Sequence, residues 1–109
     1  MLWIAPAYCQ FNCSALDARS DWSKAVELEN LAFSYNWNAM NSNDPVEQCD
    51  DLNSAVDALK EAYEIFNACR PSSGVKTLGL IRVYNRSRSD YCAEAKKIER
   101  DNEPTEEGE

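Results

Sequence analysis

The sequence predicts an all-α protein, an antiparallel up-down-up bundle of three helices pinned by disulfides. Three observations carry that prediction. Cys49, Leu52, Val56, Leu59, Tyr63 and Phe66 recur at steps of three and four residues, an unbroken a/d heptad seam. Segments of helical period lie on either side of it, set off by breaks at Asn41-Ser42-Asn43-Asp44-Pro45 and Pro71-Ser72-Ser73-Gly74. Only three glycines and four prolines occur in 109 residues, too few for the many turns of an all-β fold.

Residues 1–13 read as an N-terminal arm. It opens Met1-Leu2-Trp3-Ile4-Ala5-Pro6-Ala7, apolar and ending in Ala-x-Ala. That resembles the tail of a secretory leader without its charged start or full apolar run. The alternative is an arm that packs on the bundle. Residues 14–100 form the helical domain, and residues 101–109, acidic and without apolar content, are expected to be disordered.

Helix one is expected to start at Ser14 or Asp17 and to reach about Met40, with Ser20 and Asp21 as a later start. Its apolar residues fall on two faces. Trp22, Val26, Phe33, Trp37 and Met40 form one stripe; Leu28, Leu31 and Tyr35 lie roughly opposite. A helix wetted on one side needs one stripe, so the second either covers the arm or forms an interface with another molecule.

Helix two has the best-marked start: Asp44 as N-cap, Pro45 in the first helical position, Glu47 completing a capping-box pattern. It runs to about Cys69 or Arg70. Ala55, Ala62 and Cys69 form a column of small residues beside the seam, where a neighbouring helix can come close. Asp50, Asp57 and Glu64, seven apart, mark its wet side.

The segment Thr77 to Tyr84 has the β-branched and aromatic content of a strand. No other segment offers it a partner, and a lone strand is unstable. It is therefore read as the start of a third helix ending near Arg100, with Gly79 and Ser87-Arg88-Ser89 as places where that helix can kink or split.

The topology sorts the five cysteines. Antiparallel pairing of helices one and two brings Cys69 close to Cys13, and pairing of helices two and three brings Cys49 within about one turn of Cys92. Cys13–Cys69 with Cys49–Cys92 is the first expectation, leaving Cys9 over; Cys9–Cys69 with Cys13 left over is the rival. Such bridges point to an oxidising compartment, and the expected localisation is secreted or periplasmic. No apolar run reaches the length of a membrane span.

The composition excludes much chemistry. No histidine is present, which removes Ser-His and Cys-His catalysis, His-ligated metals and histidine pH switching. The cysteine spacing does not form the close pairs of a zinc site. No phosphate loop, nucleophile elbow or dinucleotide fingerprint occurs. Neither catalysis nor a cofactor is expected. The net charge of −8 disfavours nucleic acid. That charge is uneven: residues 1–69 carry −8, residues 70–100 carry +5 and residues 101–109 carry −5. Within the basic block Arg82 and Arg86 stand one turn apart with Arg88 nearby. They either bind an anionic partner or pair with acids of the other helices or the tail.

These observations lead to a non-enzymatic protein-interaction protein of inhibitor, immunity or assembly type, with another protein or a second copy as partner. The expected partner-binding residues are Leu28, Leu31, Tyr35, Arg82, Arg86 and Arg88. The alternative is a small carrier whose hydrophobic ligand is lined by Trp22, Phe33, Trp37, Tyr63 and Phe66. A third reading is a cytosolic adaptor with five reduced thiols.

Overall fold

The heptad seam of helix two lies at the centre of the molecule. The computed structural model describes residues 11–102, in which α1 (Asp21–Asn41), α2 (Pro45–Cys69) and α3 (Pro71–Asn102) follow one another. Among the described residues there is no strand, and residues 77–84 are helical. The expectations for residues 1–10, Cys9 included, and for the acidic tail from Glu103 lie outside the described residues. Helix α2 packs along both neighbours, whereas α1 and α3 touch each other only marginally. Leu52, Val56, Leu59 and Phe66 of the seam are buried, with Tyr63 half-buried beside them.

Capping chemistry sets the helix starts. Helix α1 begins at the later of the expected sites. The Ser20 hydroxyl accepts from the Ser23 N–H at 3.0 Å and donates to the Ser14 carbonyl at 2.6 Å, holding residues 14–19 in turns rather than helix. At α2 the Asp44 carboxylate accepts from the Val46 N–H at 3.0 Å. The reciprocal half of the capping box is not made. The Ser42 hydroxyl takes the Asp44 N–H at 3.1 Å, and the Glu47 carboxylate accepts from that same hydroxyl at 3.4 Å.

Helix α3 differs most from expectation. Pro71-Ser72-Ser73-Gly74 is not a loop but the first turn of a continuous 32-residue helix, so Arg70 alone links α2 to α3. Proline fits the first helical position because its missing N–H would have no partner there. Gly74 makes the tight reversal possible. A Cβ placed on it would lie 2.7 Å from the Asn67 Cα, so only glycine lets the two helix ends meet at that distance.

The α1–α2 contact is built on small residues. Ala25, Ala32 and Ala39, seven apart, are fully buried, as are Ala55 and Ala62 of α2. Ala32 clusters with Ala55, and Ala25 with Ala62. At the third layer the buried Gln48 amide donates to the Ala39 carbonyl at 3.0 Å and the Ser42 carbonyl at 2.7 Å, satisfying the C-terminal end of α1. Alanine columns bring two backbones close, and the contact area comes from the flanking Leu28 and Tyr35.

The first-expected disulfides are both present. Cys13–Cys69 ties the segment before α1 to the end of α2, and Cys49–Cys92 ties the start of α2 to α3. Their Cα atoms stand 5.5 and 4.7 Å apart. Because α3 begins at Pro71, the α2–α3 pivot lies at Arg70, which sets residue 49 squarely opposite residue 92.

Candidate protein-docking surface

Helix α1 has 21 residues and one neighbour along its length, so part of its circumference is uncovered. The structure turns that part toward the larger side chains. Val26 is 38% exposed, Phe33 40%, Trp37 66% and Met40 70%. With the exposed Asn30 they recur at steps of four, three, four and three residues, a second heptad seam along which, among the described residues, no other helix is laid. Trp22 alone of the expected stripe turns inward. It meets Phe66 edge-on at 4.9 Å between ring centres and carries the Arg70 guanidinium 5.4 Å above its ring.

From Asn30 onward the seam lies in an uncharged stretch. From Asn30 to Asn43 there is no Asp, Glu, Lys or Arg, fourteen residues in a chain that is 28% charged. Asparagines fill the places beside the apolar residues. The Asn36 amide donates to the Met40 sulfur at 3.6 Å and the Asn41 amide to the Trp37 carbonyl at 2.8 Å. Exposed aromatic and Met side chains with charge depleted around them are the composition of an interface core.

The expected partner-binding residues separate. Leu28 and Tyr35 are half-buried against the core, so they belong to the α1–α2 contact and not to a free face. Leu31 is exposed at 45% but stands away from the seam. The two faces of helix one are therefore exchanged: the alanine heptad, outweighed in the sequence by larger apolar side chains, decides which side is buried. Both the alanine spacing and the uncharged run were visible signals for this orientation.

The arginines separate too. Arg82 and Arg86 are exposed, one turn apart on α3, and neither joins an ion pair among the described residues. The half-buried Arg88 donates to the side-chain amide oxygen of Asn53 at 3.5 Å, which docks it on α2 beside the Cys49–Cys92 bridge. Among the described residues Lys24 pairs with Glu61 at 3.6 Å, largely exposed on both sides.

The five aromatic residues of the carrier reading do not share one cavity. Trp22 and Phe66 border a groove of about 230 Å³ between α1 and α3, closed by Val26, Glu29, Lys76 and Thr77. Phe33 and Trp37 face outward instead. Tyr84 of α3 is buried; burial, and then the Glu29 carboxylate, push its hydroxyl above the ordinary tyrosine range. Among the described residues no three His, Cys, Asp or Glu side chains converge as metal ligands would, and no helix is long and apolar enough to cross a membrane. No protein-family model, no curated protein and no solved structure matches the chain.

Proposed function

We propose that this is a non-enzymatic binding protein of an oxidising compartment, secreted or periplasmic, which works by seating another protein chain along the outward seam of α1. The observation that carries the reading is that seam: Val26, Asn30, Phe33, Trp37 and Met40, exposed in heptad spacing, all but Val26 within an uncharged stretch. An isolated surface helix gains nothing from such a row, and a facing helix or loop would bury it. The two disulfides support the compartment, since reducing cytosol does not maintain structural bridges. Arg82 and Arg86 stay accessible to a carboxylate or phosphate of the partner.

Site-specific photo-cross-linking tests the reading. A benzophenone amino acid replacing Trp37 is expected to give covalent adducts with protein in native extract. The same group replacing Asp57, on the acidic side of α2, is expected to give none. Adducts of equal yield at both positions, or none at position 37, would remove the α1 seam as the docking surface.

A further inference from the structure

Resting on that reading, we propose that the chain seated on the α1 seam is a second copy of this protein, its α1 laid antiparallel across a two-fold axis that crosses the seam at the level of residue 35. Area, charge and orientation each support this occupant.

The exposed parts of the seam residues amount to roughly 500 Å², taking about 150–250 Å² for each aromatic side chain and less for the others. That is in the upper part of the roughly 300–600 Å² that the largest apolar patch on a monomer covers, a patch that is often functional. Two such patches face to face remove about 1,000 Å² from water, the lower bound of a specific interface.

Charge selects where two copies can meet. Each carries −8, so most approaches of one copy to another are repulsive. The seam is the exception, because residues 30–43 hold no charge. A strongly basic partner would find no acid there to pair with, whereas a second uncharged seam matches it.

Charge also selects the orientation. The acids bordering the seam, Glu27 and Glu29, are both at its N-terminal end, and the C-terminal end is Asn38, Asn41 and Asn43. Parallel packing would set each acid beside its own copy. Antiparallel packing about that axis sets Phe33 on Trp37 of the second copy and Trp37 on its Phe33. Asn30 then faces Met40 and Val26 faces Asp44, while Glu27 meets Asn41 on one flank of the seam and Glu29 meets Asn43 on the other. The interaction is isologous, so it closes at two copies. A polar Asn30 within the heptad costs some affinity and restricts register.

Sedimentation equilibrium of the full chain with its disulfides intact tests the proposal. The wild type is expected to show twice the 12.3 kDa monomer mass and to dissociate on dilution. Trp37→Glu is expected to weaken the dimer roughly 30-fold or more while keeping its helical circular dichroism. Asn41→Lys puts a cation across from Glu27 of the second copy. It is expected to tighten the dimer roughly two- to fivefold per contact at low salt. A wild type that stays monomeric at every concentration, or a dimer indifferent to Trp37→Glu, overturns the proposal. Loosening by Asn41→Lys, or no effect of it, overturns the antiparallel arrangement. The cross-linking experiment keeps the two levels apart. Adducts at position 37 with a different protein, from a chain that is monomeric, leave the docking seam standing and remove the second copy. No adduct and no dimer removes both.

Discussion

Two glycines in the same helix show how much a single side chain's surroundings decide. Gly74 sits where α3 turns back onto α2, with the Asn67 backbone against the space a Cβ would take; Gly79, five residues on, is exposed with nothing within 4 Å of that space. Intrinsic propensity favours alanine over glycine inside a helix by about 1 kcal/mol. At position 74 overpacking against immovable backbone opposes it, at about 1–3 kcal/mol. Gly79→Ala is therefore expected to raise the urea midpoint and Gly74→Ala to lower it. Equal shifts in the same direction would show that the α2–α3 reversal is looser than the structure has it. From the sequence Gly79 read as a place where helix three can kink, and Gly74 with Pro71 read as a stop signal. Pro and Gly mark the end of one helix and the start of another with the same letters, and only the one-residue link at Arg70 tells the two apart.

At the scale of elements, α2 was legible and α1 only half so. The α2 seam presents large residues in strict heptad order, and there periodicity and burial agree. In α1 the large residues and the buried residues are different sets. Ala25, Ala32 and Ala39 contribute little hydrophobicity each, yet their small size is what lets α1 lie close to α2. Hydrophobic weight therefore pointed to Trp22, Val26, Phe33, Trp37 and Met40 as one internal stripe, and four of those five face outward. This sets an unusual ranking of substitutions. Ala32→Leu, which adds bulk at a fully buried column, is expected to cost about 1–3 kcal/mol. Leu31→Ser, one residue away and 45% exposed, is expected to cost less than about 1 kcal/mol. Chemical denaturation of the two variants decides it; the reverse order would mean that α1 is rotated on α2. The candidate docking surface was hidden for the same reason, because the second stripe, Leu28, Leu31 and Tyr35, was read as the partner-binding face.

For the whole molecule the covalent links carry an unusual share of stability. Three helices with α1 and α3 barely in contact bury less than a closed bundle does. Cys49–Cys92 closes a span of 43 residues and Cys13–Cys69 one of 56. Each is expected to contribute about 2–4 kcal/mol by restricting the unfolded chain, against about 5–15 kcal/mol for an average domain. Replacing Cys49 and Cys92 together by alanine is expected to lower the free energy of unfolding by about 3 kcal/mol in urea titration. Unchanged stability would put the strength of the α2–α3 contact in its side-chain packing instead. The cysteine pairing was readable in advance because helix lengths and antiparallel topology leave few partners within reach. The compartment inferred from it rests on that pairing alone.

The order of the four bridged cysteines along the chain has its own result. Cys49 lies between Cys13 and Cys69, and Cys69 lies between Cys49 and Cys92, so the two closed spans interlock. Break any one peptide bond between residues 13 and 92, and at least one bridge still joins the two pieces. A protease that nicks this chain once inside that span leaves one molecule of nearly unchanged mass, with its helices still tethered and the ends of the cut held near each other.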